Sequence, residues 1–330
     1  MATIYVAYCR LHTQAQTHAT RAPPPPPLPA TQASANNQVP SAAWAAQHFI
    51  TADWDAGSEG YRAKRITQLL TQRRGAHDVD SISQVQLDYV SLFPRDVFDA
   101  LENSGAAVAP ATPGGAWLLR ALRAWDGAMV VGGTLPSLWA ELRRQLMALG
   151  GREVNGRVHD NAPFLLRALA SDGAPGGSDP ACAAAGHASC AAFAAAALDA
   201  AAAAYALDGD GEPRAGAPKL PAWGEGVHQA RVAHQILDGS PLTCLADREV
   251  SHGGEDFTVN VGGWDLESGD LTQTHGPSVR HVIDMRDETL LTDGAEANAT
   301  LSRWALPGGQ EGDLLSPQYA NLLKRWATGE

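Results

Sequence analysis

From His252 to Tyr319 the chain reads HGGEDFTVNVGG, then THGPSVRHVIDM, then PGGQEGDLLSPQY. This stretch restricts the fold more than any other. DFTVNVGG alternates inward and outward residues and is rich in β-branched side chains, the pattern of a half-buried strand. SVRHVIDM repeats the pattern, with Val279, Val282 or Ile283, and Met285 supplying the apolar side. Gly253, Gly254, Gly262, Gly263, Gly276, Gly308 and Gly309 punctuate the two segments, because glycine takes positive φ without steric cost. The expectation is two strands and a return loop.

A chain of 330 residues has room for one large domain or two modest ones with a substantial core. Charged residues make up 18% and the formal net charge is −12. That balance excludes nucleic acid and anionic membrane surfaces as partners, since both need clustered lysine and arginine. The excess acid serves solubility. The longest apolar run, Ala181 to Ala206, is mostly alanine and is interrupted by Asp199, so no membrane span is expected. Four cysteines are too few for a disulfide scaffold. Cys182 and Cys190, with His187 between them, fit a small disulfide loop or a metal clip. A zinc site would need a further ligand and a tighter pair.

Residues 1–45 carry a run of five prolines among Ala, Thr, Gln and Asn, which cannot build a core and reads as a disordered leader. MATIYVAYCRLH lacks the charged start and cleavage site of a secretory signal. HFITADW reads as a short strand through Phe49 and Thr51, and YRAKRITQLL as a helix burying Ile66, Leu69 and Leu70. Asp80 or Ser81 can cap the next helix, and Pro94 opens the one after it. Trp117, Leu118, Ala121, Leu122 and Trp125 recur at helical spacing before WDG, and Pro136 opens another helix. Alanine's propensity predicts a helix at 188–206. DGDGE (Asp208 to Glu212) lacks the other ligands of a calcium loop and reads as a turn. His228 and His234, six residues apart, would not share one face of a helix. His252, His275 and His281 have no spacing that joins them to Ser251 or Ser278 and to Asp256 or Asp284 as a triad.

GGEDFTVNVGG, HGPSVRHVIDM and PGGQEGDLLSPQYANLLKRWATGE, in this order, resemble the C-terminal end of the large chain of penicillin acylases. These are N-terminal-nucleophile amide hydrolases, and the resemblance runs from about Phe49 to the last residue. It implies an α+β fold that is part of a four-layer αββα sandwich. Residues 46–330 would form the C-terminal part of the large chain, with a helical insert at about 60–207 and strands at about 255–290. A small chain and the start of the large chain would be its missing partners.

The implied chemistry is acyl transfer from a small-molecule acyl amide to a chain-terminal serine, whose own α-amino group is the base. No residue here resembles that serine's context, Ser34 and Ser41 included. The family's Asn-x-Asn-Asn segment corresponds to Asp53-Trp54-Asp55-Ala56. Its middle asparagine donates to the oxyanion, so Asp55 stands at that position, and Arg62 matches the arginine that opens the following helix. Arg62 could orient groups at the site or simply pair with Asp53, Asp55 or Glu59. No cofactor is expected. The loop that can carry a calcium ligand in the family is shortened. Three readings follow: a hydrolase present as a piece without its nucleophile, an inactive relative, or an unrelated metal-dependent hydrolase using the C-terminal histidines.

Overall fold

The computed structural model describes residues 5–7, 32–35, 60–73, 77–154, 157–234, 236–283, 302–309 and 311–329. Helices dominate the first two-thirds of these residues and small antiparallel sheets the rest, so the fold is mixed helix and sheet. The helices are α1 (Tyr61–Gln72), α2 (Val79–Gln86), α3 (Phe93–Asn103), α4 (Pro113–Ala124), α5 (Leu135–Gly150), α6 (Ala162–Leu169), α7 (Pro180–Ala184), α8 (Cys190–Ala204), α9 (Thr243–Ala246) and α10 (Leu323–Thr328).

The largest core forms where α8 packs between α4 and α5, with α6 and α3 beside them. Alanine on most sides of α8 lets its neighbours approach closely, while Phe193 and Leu198 fill the remaining space. Asp199, the one charge in that helix, has a structural task. Its carboxylate accepts from Ala111 N at 2.7 Å, Thr112 N at 3.0 Å and the Thr112 hydroxyl at 2.5 Å, which anchors the start of α4. Thr112 then caps α4 by accepting from Gly115 N at 3.0 Å. A side chain at position 115 would meet Asp199 Oδ1 at 2.1 Å, so this junction requires glycine.

Cys182 and Cys190 are joined by a disulfide and are both buried, which resolves the choice between bridge and metal clip. Asp172 holds the same corner, accepting from Cys190 N at 3.0 Å and Ala191 N at 2.6 Å. Helix α2 starts at least two residues earlier than expected. Asp78 is its cap, accepting from Ser81 N at 2.8 Å while the Ser81 hydroxyl accepts from Asp78 N at 2.8 Å.

The strands pair as β1 (Tyr5–Ala7) with β2 (Gln32–Ser34), β3 (Gly151–Val154) with β4 (Arg157–Asp160), β5 (Ala230–Val232) with β6 (Arg248–Val250), and β7 (Arg280–Ile283) with β8 (Ser302–Ala305). All four pairs are antiparallel and two-stranded. β7 realises part of the strand expected at SVRHVIDM. DFTVNVGG does not form the expected strand. It is a buried loop in which both sets of alternating residues are covered, Phe257, Val259 and Val261 as well as Thr258 and Asn260. The Thr258 hydroxyl explains the departure. It accepts from Glu255 N at 2.9 Å and donates to Asn260 O at 2.7 Å, so local bonds replace ladder bonds. His228 and His234 also lie outside any helix, His228 in a turn with φ 54° and His234 just after β5.

Candidate functional site

Four separate parts of the chain converge on His252, which is fully buried. They are the link from α2 to α3, the loop 252–263 with Gln273, strand β7 and helix α10. Arg280, at the start of β7, is the donor that orders the rest. Its Nε donates to Trp326 O at 2.5 Å, Nη1 to Gln86 O at 2.9 Å and Nη2 to Asn260 Oδ1 at 2.6 Å. A guanidinium only donates, so the Asn260 atom facing it must be the carbonyl oxygen. His252 Nε2, 3.0 Å from that same oxygen, must then carry the proton and donate. Nδ1 is left as an acceptor, and Gln273 Nε2 donates to it at 3.2 Å. The same Gln273 nitrogen also faces the carbonyls of His275 at 3.2 Å and Val261 at 3.4 Å, which fixes its amide orientation. His252 is therefore neutral, with one defined tautomer.

Electrostatics agree with that geometry. Burial, and then the Arg280 charge with Nη2 only 3.5 Å from Nε2, hold the His252 pKa down to about 3. Arg280 is itself lowered to about 10 by burial. Trp326 stacks on the imidazole with centroids 4.8 Å apart, and Tyr89 meets it edge-on at 5.9 Å. Burial raises the Tyr89 pKa, so the phenol stays protonated. His228 sits nearby in a tryptophan box, stacked on Trp223 at 3.9 Å with the edge of Trp264 at 5.3 Å. Its Nδ1 donates to Leu271 O at 3.0 Å, and burial lowers its pKa to about 4.

A second buried group ties this loop to the helical body. Arg143 on α5 reaches Glu255 Oε2 at 3.0 Å and Asp256 Oδ2 at 3.2 Å. Its guanidinium carbon lies 4.8 Å from the centroid of Phe257 and 4.9 Å from that of Trp264. Trp139 Nε1 donates to Glu255 Oε2 at 3.3 Å. Burial raises the Glu255 pKa even against the opposing Arg143 charge. Among the described residues, His228 Nε2, Glu255 Oε1, Asn260 Nδ2 and Gln273 Oε1 are buried without a hydrogen-bond partner within bonding geometry.

The residues singled out from sequence fall elsewhere or outside. Asp55, with Asp53 and Asp284, lies outside the described residues. Arg62 is on the first turn of α1 and is buried, 7% exposed. Its neighbour Arg65 makes a two-bond fork with Asp88, Nε to Oδ1 at 2.8 Å and Nη2 to Oδ2 at 2.7 Å. Asp88 O in turn accepts from Asn260 N at 2.9 Å, which couples α1 to the buried loop. His275 Nε2 pairs with Asp256 Oδ1 at 3.4 Å and its Nδ1 faces the Thr274 hydroxyl at 3.4 Å, while both nitrogens of His252 are engaged with side-chain amides. The described histidines thus form no line with Ser251 or Ser278. Nor, among the described residues, do three or more His, Cys, Asp or Glu side chains group as a metal site. No described helix is long and apolar enough to cross a membrane.

Sequence reasoning passed over Arg280, Asn260, Gln273, Arg143 and Glu255. Asn260 and Arg280 lie on the polar side of segments that read as half-buried strands, and no motif or spacing marks Gln273, Arg143 or Glu255.

A family model described as penicillin amidase covers residues 24–330, which begins inside the proline-rich segment and takes in the whole polar core. No curated protein matches the chain.

Proposed function

The chain belongs to the penicillin amidase family, and on that premise we propose that it is the C-terminal part of the large chain of an acyl-amide hydrolase whose serine nucleophile is not among these residues. The observation that carries this reading is the family match across residues 24–330. In this reading the small sheets and the helical body contribute to a four-layer αββα sandwich. The reaction joins the acyl group of a small amide to the serine oxygen, releases the amine, and returns the acid on attack by water. The chain would support that site, with Arg62 and Asp55 at the positions that the resemblance to the family assigns to it. His252 does not act as the base, because its Nδ1 is already the acceptor for Gln273 and its Nε2–H is committed to Asn260.

One sequence observation favours a second reading, a catalytically inactive relative. By the resemblance to the family, Asp55 stands at the position of its oxyanion-binding asparagine. A carboxylate has no proton to donate there and sets negative charge against developing negative charge. Loss of one such donor costs about 3 kcal/mol of barrier.

Intact mass and N-terminal sequencing of the protein from its source, with hydrolysis of a chromogenic acyl anilide, separate the two readings. A companion chain or upstream segment that begins at a serine, together with turnover, is the result expected of the hydrolase. A protein that begins at Met1 and shows no turnover overturns it in favour of the inactive relative.

A further inference from the structure

Two arcs of chain, residues 234–246 and 311–319, are pinned to each other near both ends. His234 Nε2 donates to Gly312 O at 2.9 Å, and the Tyr319 hydroxyl donates to Ala246 O at 2.5 Å. The first arc includes α9. Among the described residues five large apolar side chains are exposed, and four of them stand on these arcs: Ile236 at 84%, Leu242 at 49%, Leu245 at 67% and Leu315 at 93%. Pro241 and Pro317, on the same arcs, are exposed as well. Large apolar groups gathered in water in this way mark a surface for association.

The backbone of both arcs is bonded so that these side chains are held outward. His234 Nδ1 accepts from Ile236 N and Leu237 N, each at 3.2 Å. Leu237 O accepts from the Ser240 hydroxyl at 2.6 Å and the Thr243 hydroxyl at 3.0 Å. On the second arc, Asp313 Oδ1 accepts from Leu315 N at 3.0 Å. A surface fixed in this way loses little ordering entropy when something docks on it.

We propose that this surface docks a protein segment whose apolar side chains are flanked by lysine or arginine. Charge selects that occupant. The two arcs carry Asp238, Glu311 and Asp313 and neither lysine nor arginine. Glu249, exposed on β6, adds a carboxylate at the border. The arginines at the border are engaged already. Arg231 donates from Nη2 to Asp238 Oδ1 at 2.6 Å and from Nε to Asp247 Oδ2 at 2.5 Å. Arg248 Nη1 donates to the carbonyls of Leu245 and Asp247, both at 2.9 Å, and its guanidinium carbon lies 5.0 Å from the Tyr319 centroid. Lys324 and Arg325, beyond the second arc on α10, have interactions of their own. A second copy of the chain would set these carboxylates against each other, and an anionic lipid surface would be repelled. An apolar segment bordered by cations satisfies both the leucines and the carboxylates. The surface stands whether or not the protein hydrolyses amides.

Fluorescence anisotropy with the whole chain and labelled synthetic helical peptides of equal length tests this. The probes are a leucine–lysine peptide, a version with glutamate in place of lysine, and a version with serine in place of leucine. The leucine–lysine peptide is expected to bind, more weakly as salt rises from about 50 mM to about 300 mM. Each of the other two should bind at least roughly tenfold more weakly. Combining Leu245→Ser with Leu315→Ser, both at exposed positions, should weaken the leucine–lysine peptide roughly tenfold or more and leave the urea midpoint unchanged. Cys244, a free and exposed thiol on α9, supplies a local readout in the wild-type chain. Bound peptide should slow its alkylation, followed by peptide mapping. A leucine–lysine peptide that does not bind, that binds the double variant as tightly as wild type, or that leaves Cys244 alkylation unchanged overturns the proposal. Alkylation that slows with rising protein concentration in the absence of peptide, together with a dimer in sedimentation, overturns it in favour of a second copy.

Discussion

Replacing Arg143 with methionine removes a buried charge while keeping an apolar side chain between Phe257 and Trp264, so packing changes little and electrostatics change a great deal. Glu255 is fully buried and loses its one ion-pair partner among the described residues, at 3.0 Å, keeping hydrogen bonds from Trp139 Nε1 and the Ser91 side chain. Leaving one member of a buried pair uncompensated costs about 3–5 kcal/mol, against a total stability of about 5–15 kcal/mol for a typical fold. The assay is urea denaturation at pH 7, followed by fluorescence. Adding Glu255→Gln removes the stranded charge while leaving an oxygen for Trp139, so the double variant should return to within about 1–2 kcal/mol of wild type.

The pH dependence gives an independent sign. Without Arg143 the Glu255 pKa, already raised by burial, climbs further. A carboxyl whose folded pKa lies above its unfolded value holds more protons when folded, so its unfavourable effect fades as pH falls. The gap between Arg143→Met and wild type should therefore be narrower at pH 5 than at pH 7. An Arg143→Met cost below about 1 kcal/mol, or a double variant no more stable than the single one, refutes the reasoning.

His228 makes the global stability acid-sensitive. Its folded value of about 4 lies below the usual 6.5, so the unfolded chain binds the extra proton first, and stability held above pH 6.5 is lost as pH falls towards 4. By pH 5 the loss is about 2 kcal/mol, and His228→Gln should flatten that part of the profile in urea titrations at successive pH values. A slope unchanged in the variant would rule His228 out as its source. Replacing both Cys182 and Cys190 with alanine opens a crosslink of sequence separation 8 and should cost about 2–3 kcal/mol. Equal urea midpoints for the double variant and the oxidised parent would show that the bridge adds nothing.

The helical body was readable because its cues are local. The Trp117–Leu122 spacing, the proline at the start of α3 and the alanine run of α8 each signal through neighbours a few residues away, and each lies where its periodicity put it. Where local cues competed, the sequence misled by a step or more. Asp78 caps α2 in place of Asp80 or Ser81, because Ser81 serves better as the reciprocal partner than as the cap. At DFTVNVGG the period-two pattern was real and the strand was not. Alternation distinguishes two faces, but it says nothing about whether water lies on the second. Here Thr258 and Asn260 occupy that second face and are as buried as Val259 and Val261.

The polar core was illegible for a related reason. Arg280 and Asn260 are 20 residues apart, while Gln86 and Arg280 are 194 apart. No spacing rule joins such residues, and each alone reads as an ordinary surface polar group. What the sequence did disclose was the order of three glycine-bounded motifs, and these motifs carry the network. The Gly253–Gly254 pair brings the loop back on itself, since a side chain at Gly254, with φ 87°, would stand 2.0 Å from Asn260 O. That close return is what presents the Asn260 amide to both His252 and Arg280. The glycines first read as punctuation between strands are thus part of what builds the site: without the tight turn at Gly254, His252 would not be held neutral between the Gln273 and Asn260 amides beside a guanidinium.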